Sequence, residues 1–212
     1  MSKIYKVNKI EKGKLIITGK ADNLLWNKAN IIEGLLSPWS NRDFNKTVFK
    51  ALWDEDFFFF TFIVDDSNPY IDNSDNSKSS INNSDRVEIF FRSNNKMNPY
   101  YCLEIDPTSR AMDFKAKPNK NFDFNWNWPK NDIQLKSSKT NKNFSVEGKI
   151  SIISLIELNL LIENRLEVGI YRAKYNKQHN GMYEPTWITW IDPETETPNF
   201  HIPSSFGVFK LQ

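Results

Sequence analysis

The sequence predicts an all-β chain: an antiparallel, jelly-roll-like β-sandwich with one or two short helices. Runs rich in β-branched and aromatic residues recur at short intervals between clusters of Asn, Asp, Ser and Pro, the spacing of a sandwich or barrel. Aromatic residues are plentiful (16 Phe, 7 Tyr, 7 Trp) while glycine is scarce at 7, a composition that suits a pleated, packed surface. The stretch "FDFNWNWPK" (122–130) sets Phe122, Phe124, Trp126 and Trp128 at every second position, with Asp123, Asn125 and Asn127 between them. That is the period of a strand with one apolar and one polar face.

In chain order, the strand candidates are 14–18, 47–53, 57–64, 86–92, 100–106, 111–116, 122–128, 144–150, 166–174, 186–191 and 206–211. "KLIITGKADNLLWNKA" reads as a strand, a glycine turn and a short helix over 21–29 that places Trp26, with Asp22 or Asn23 as its cap. "DFFFFTFIVDD" (56–66) is apolar at both parities from Phe57 to Val64, so this strand is expected to be covered on both sides or to have its outer face under loops. "SIISLIEL" (151–158) reads as a second helix capped by Ser151, and the Asn-rich 71–85 as polar loop. No repeat, linker or composition break divides the chain, so residues 1–212 are expected to form one domain.

Composition excludes several classes. Hydrophobic content of 39 % with 25 % charged residues is that of a soluble globular chain. The net charge is +2 with Lys and Arg dispersed, so no nucleic-acid surface is expected. The first twenty residues hold no apolar signal core and no stretch is long enough for a membrane span. The chain as written is therefore expected in the cytoplasm, or outside it if a signal has been removed. A single cysteine, Cys102, excludes an intrachain disulfide.

The segment "DRVEIFFRSNNKMNPYYCLEIDPTSRAMDF" (85–114) carries the most chemistry. Val87, Ile89 and Phe91 share one face, and Arg86, Glu88 and Phe90 the other. Tyr101, Leu103 and Ile105 oppose Cys102, Glu104 and Asp106 in the same way. A hairpin centred near residue 96 pairs Glu88 with Glu104, since a slip would bury charges in the core. The turn at Asp106-Pro107 then predicts that Glu104 pairs with Asp113 and Ile105 with Met112. The result is a face carrying Glu88, Glu104 and Asp113 side by side. Three adjacent carboxylates repel, so something must compensate. Arg86, Lys115, Arg110 and Arg172 are candidates, as is a cation or a hydroxyl-rich ligand. Three readings fit: a solvated face with salt bridges, a sugar site, or a metal site, although no zinc or EF-hand spacing is present.

In the C-terminal segment, Trp187 and Trp190 fall on opposite sides of one strand, one toward the core and one toward a loop or site. The loop 192–205 is stiffened by three prolines and presents Phe200 and His201.

Six stretches in order, "VFKALWDEDFFFFTFIVDD", "SDRVEIFF", "YYCLEID", "FSVEGKISI", "VGIYRAKY" and "ITWIDPETETPNFHIPSSFGVFKL", give the chain a pattern that resembles the family 9 carbohydrate-binding modules over roughly residues 15–212. It is most similar to the single-domain family 9-like proteins of polysaccharide-degrading bacteria. The resemblance implies a β-sandwich, a sugar site and often structural calcium. It also implies a sugar ring held between two Trp side chains and bonded by an acid on the first of the two strands above, which Glu88 matches. Asn82 stands where the first stacking Trp would be, Phe200 in the loop of the second, and Glu104 where the family carries an Arg.

The leading expectation is non-catalytic binding of a mono-, oligo- or polysaccharide. Arg86, Glu88, Glu104, Arg110, Asp113 and Arg172 would supply the polar contacts, with His201 beside them. Trp126, Trp128, Trp190 and Phe200 are the stacking candidates. A degenerate module serving protein interaction or structure is the alternative. A glycoside hydrolase built on Glu88 and Glu104 is a third reading, although two neighbours on one sheet face do not flank a bond from both sides.

Overall fold

The structure is a computed structural model that describes residues 3–212. It is β-rich, with twelve strands: β1 (Ile4–Lys9), β2 (Thr47–Trp53), β3 (Phe57–Val64), β4 (Arg86–Arg92), β5 (Tyr100–Ile105), β6 (Ala111–Lys117), β7 (Asn121–Asp123), β8 (Ile133–Lys139), β9 (Phe144–Ser151), β10 (Arg165–Lys177), β11 (Tyr183–Thr189) and β12 (Gly207–Leu211). Two short α-helices, α1 (Lys78–Asn82) and α2 (Ile152–Glu157), accompany them, and Leu24–Lys28 forms a 3-10 turn. The caps follow local chemistry: Asn23 accepts from the Leu25 N–H, Ser77 from Ser80 and Ser151 from Ser154.

The strands form one path, β7-β6-β5-β4-β10-β12-β1-β2-β3-β9-β8, with β11 attached to β10. The sheet is mixed rather than wholly antiparallel, because β1 runs parallel to both β12 and β2. It curls on itself, so that Phe58 of β3 meets Phe91 of β4 edge-on at 6.2 Å between ring centres. The inner faces supply the main core, including Val7, Phe49, Phe58, Phe60, Phe62, Val87, Ile89, Phe91, Ile170 and Phe209. Fully burying a side chain of this size stabilises by roughly 1.5–3 kcal/mol.

Both outer faces are covered as well. On β3, Phe59 turns outward and packs with Leu52 against Ile10, Leu15, Ile17 and Trp26 of the N-terminal segment. The two-sided apolar pattern of 57–64 therefore reports a real second layer. Glu147 of β9 secures that layer: its carboxylate accepts from the Thr18 and Gly19 backbone N–H groups and from the Trp26 indole. On the other outer face, Phe90, Tyr100, Cys102, Phe114 and Tyr171 lie under Ile81, Phe200 and Phe206.

Several expected elements differ. Residues 14–18 run without strand pairing, held from the side by Glu147 rather than in the sheet. β1, β8 and α1 appear where no strand or helix is expected; β8 is polar, "IQLKSSK", and lacks a clean alternation. The strand expected over 122–128 ends at Asp123, whose carboxylate takes the Asn125 N–H in a turn. The β5–β6 register is one residue from the expected one: Glu104 pairs with Met112, and Asp113 with Leu103. Asp106 anchors that turn, accepting from Thr108 N, Arg110 N and Arg110 Nε.

Candidate functional site

The register places the charged residues on opposite sides of the sheet. Glu88 and Glu104 are direct neighbours, as expected, and point outward with Arg86. Asp113 faces the other way. Its carboxylate accepts the Trp128 N–H at 2.6 Å and lies 3.8 Å from Lys78 Nζ. The row of three carboxylates thus becomes two, with Arg86 between them.

This cluster is buried rather than solvated: Arg86, Glu88 and Glu104 are 2 %, 1 % and 4 % exposed. Arg86 Nε donates to Glu104 Oε2 at 2.5 Å and lies 3.0 Å from Glu88 Oε1. Its single hydrogen is directed at Glu104, so Glu88 Oε1 has the charge contact without a hydrogen bond. The guanidinium also donates to the Asn82 carbonyl and side chain. Burial, then the Glu104 charge, pushes the Glu88 carboxyl up to about 8 against the pull of Arg86. Burial also raises Glu104, opposed by Arg86. Two carboxylates and one guanidinium leave an excess negative charge, which a proton on the pair relieves.

Trp187 of β11 stands beside this cluster. It pairs with Ala173 of β10, which pairs with Arg86, and the guanidinium lies over its ring at 5.5 Å. Phe200 meets Trp187 edge-on at 5.6 Å and stacks on Tyr171 at 4.2 Å. Beyond them opens a cavity of about 180 Å³ lined by Lys120, Phe122, Trp187, Pro198, Asn199, Phe200 and His201. His201 Nδ1 is 2.9 Å from the Tyr100 hydroxyl, and its ring stacks on Phe90. Burial, then the charges of Lys120 and Arg86, lowers His201 to about 3, so it is neutral at physiological pH. The cavity therefore offers half-buried aromatic rings with an imidazole, an amide and an ammonium around them.

Of the sequence-derived candidates, Arg86, Glu88, Glu104, Phe200 and His201 come together in this layer. Arg110 lies at its edge, bound to Asp106 and to the Asp75 and Asp72 carbonyls, where it fastens the 66–85 loop to the β5–β6 turn. The remaining candidates lie elsewhere. Trp128 is 3 % exposed, donates its indole N–H to Ser154 and packs on Phe91. Trp126 is half-buried against Tyr101 of the main core. Trp190 is buried against Phe209. Arg172 points inward, donating to Asp66 at 2.9 Å and to the Asn45 carbonyl. Lys115, a proposed counter-charge, pairs with Asp123 instead. Phe122 and Asn199 were not among the stacking or polar candidates. Trp187 entered only as one of two Trp residues on opposite sides of a strand, of which Trp190 takes the core and Trp187 the cavity. The parity of Trp187 with Tyr183 and Pro185, opposite Ala173, is the signal that marks it.

Two chemistries fit poorly. Glu88 and Glu104 share one guanidinium from the same side and have no open face toward a substrate bond. Among the described residues no group of three or more His, Cys, Asp or Glu side chains comes together to hold a metal ion, so a site built on such side chains alone is not formed.

Comparison with known proteins gives a consistent family. The carbohydrate family 9 binding domain-like family matches residues 17–212. A protein of Bacteroides uniformis ATCC 8492 has a similar fold, with TM-score 0.74 at 14 % identity and full coverage of both chains. A family 9 carbohydrate-binding module from Caldicellulosiruptor kristjanssonii in complex with glucose aligns with TM-score 0.63 and 18 % identity, over 99 % of this chain and 96 % of that one. A module of the same description and organism in complex with cellotriose aligns with TM-score 0.64 and 19 % identity, over 99 % and 94 % of the two chains. No curated protein matches the sequence.

Proposed function

This chain belongs to the carbohydrate family 9 binding domain-like family, and from that premise we propose that it binds carbohydrate without catalysis, in polysaccharide use. The ligand is a mono- or oligosaccharide, one ring of which enters the cavity beside Trp187. The observation that carries this reading is the half-buried Trp187 ring, held from below by Arg86 and opening into a space of about 180 Å³. That is smaller than the roughly 300–1,000 Å³ of drug-sized sites and suits a single ring. Trp187 and Phe122 provide apolar faces for the C–H side of a sugar, and Asn199, neutral His201 and Lys120 provide hydrogen bonds. The buried Arg86–Glu88–Glu104 cluster serves as the support that fixes Trp187. The glucose and cellotriose of the two Caldicellulosiruptor complexes favour this ligand class.

Titration of intrinsic Trp fluorescence with glucose, cellotriose and other oligosaccharides tests the reading. Saturable binding is expected, with the sugar recovered intact and the affinity lowered about tenfold or more in Trp187→Ala, about 1.4 kcal/mol. The second reading, an interaction domain that has lost its sugar site, is favoured by the burial of Glu88 and Phe200. No response to any glycan would select it.

A further inference from the structure

A second cavity lies farther out on the β10–β11 arm. On this face β11 presents Trp187, Pro185 and Tyr183 in turn, beside Ala173, Tyr175 and Lys177 of β10. Tyr183 stacks on Tyr70 of the 66–85 loop at 3.5 Å and 13° between planes, and Tyr175 lies 6.1 Å from Tyr70. The Tyr175 hydroxyl donates to the same Asn82 carbonyl that Arg86 bonds. An aromatic strip thus runs from Trp187 across the cluster to Tyr183. Its ends lie four residue steps apart along the strand, roughly 13 Å at about 3.3 Å per residue.

The space beside the tyrosine pair is about 620 Å³ and is lined by Asn68, Pro69, Tyr70, Ile71, Asn73, Lys139, Lys174, Tyr175, Asn176, Lys177 and Tyr183. Its charged lining is three lysines and no carboxylate. Lys174 is neutralised from beneath, 2.6 Å from Asp66 and 3.0 Å from Asp85. Lys139 and Lys177 are exposed and add two positive charges to the groove. The opposite side of the same tyrosine pair faces Asp72 and Asn83 instead. The groove is therefore polarised toward an anion on one side only.

We propose that this groove is a second sugar subsite, selective for a unit bearing a carboxylate, so that the chain binds acidic oligosaccharides of the uronate class. This rests on the carbohydrate-binding reading above. The uronate ring stacks along Tyr70, Tyr175 and Tyr183, its carboxylate lies between Lys139 and Lys177, and Asn68 and Asn176 meet its hydroxyls. The adjoining unit extends along the strip toward Trp187.

The test compares cellotriose, the same trimer with each C6 oxidised to the carboxylate, and the methyl ester of that acid. Each is titrated calorimetrically at low and high salt against the full chain and against Lys139→Gln/Lys177→Gln. The acid is expected to bind about tenfold more tightly than its ester, about 1.4 kcal/mol. That preference should vanish in the double variant and shrink with salt, while cellotriose binding stays unchanged. Equal affinity for acid and ester, or a preference that survives in the double variant, overturns the subsite and leaves the sugar-binding function standing. Equal binding of a single-stranded oligonucleotide of the same charge also overturns it, since the groove would then read charge alone. Failure of all three trimers to bind overturns the subsite, and if no other glycan binds either, the sugar-binding function falls with it.

Discussion

Replacing Glu88 by Gln should change how stability depends on pH. Glu88 is buried beside Glu104 with one Arg86 between them, and its carboxyl is raised from 4.5 to about 8. A raised acid holds its proton in the folded state where the unfolded chain has released it. Its contribution is therefore complete below pH 4.5 and is lost as pH rises toward 8. His201 acts with the opposite sign. It is lowered from 6.5 to about 3, so its contribution is complete above pH 6.5 and is lost as pH falls toward 3. Each group contributes a slope of about 1.4 kcal/mol per pH unit inside its window. From pH 4.5 to 6.5 the Glu88 and His201 slopes oppose each other, and above 6.5 the loss from Glu88 is no longer offset by His201. Between pH 6.5 and 8 the wild type should lose about 2 kcal/mol from this group. Gln keeps the shape, can accept from Arg86 and donate to Glu104, and carries no charge to desolvate. Urea unfolding of both proteins at half-unit steps from pH 5 to 9 measures the difference. The variant should gain on the wild type as pH rises, by about 2 kcal/mol over that interval. Parallel profiles would refute the shared-proton description of the pair.

Other consequences follow from the two covered outer faces. Glu147→Gln should destabilise the fold by about 2–3 kcal/mol, because the Gln oxygen cannot serve all the donors that meet the carboxylate. Urea unfolding should show it, with early loss of hydrogen-exchange protection at Thr18 and Gly19. Cys102 is fully buried and burial pushes its thiol up, so a disulfide exchange reagent should label it only on unfolding. Rapid labelling of the native protein would show that the C-terminal loop does not cover this face. Gly148→Ala should destabilise by about 1–3 kcal/mol, since its Cβ would enter the Phe60 ring. An unchanged thermal midpoint would contradict this packing.

Much of the fold was legible because alternation and burial speak directly. The pairing of Glu88 with Glu104 follows from keeping Val87, Ile89 and Phe91 inside, and it holds. The double-sided pattern of Phe57–Val64 announced a second layer, although not that residues 10–26 would supply it. Three things could not be read. Asp106 draws Arg110 into the turn and so sets the β5–β6 register, moving Asp113 to the opposite face. "FDFNWNWPK" alternates like a strand, yet only Asn121–Asp123 pairs; its aromatics then divide between Phe114 and the rim of the main core. Finally, a face rich in charge looked solvated or ligand-bound, whereas loop 192–206 and Trp187 cover it. Sequence spacing does not reveal which outer face a distant loop will close. The aromatic that borders the cavity is therefore Trp187, not Trp126, Trp128 or Trp190.

The seven tryptophan indole N–H groups make the central claim directly measurable. Indole nitrogen–proton NMR spectra can be assigned by single substitution and followed during titration with cellotriose. The Trp187 signal should shift progressively and saturably, while those of Trp26 and Trp128, bonded to Glu147 and Ser154 inside the protein, should stay in place. A saturable shift at another tryptophan with Trp187 unmoved would place the sugar elsewhere, and no shift at any of the seven would contradict sugar binding at this cavity.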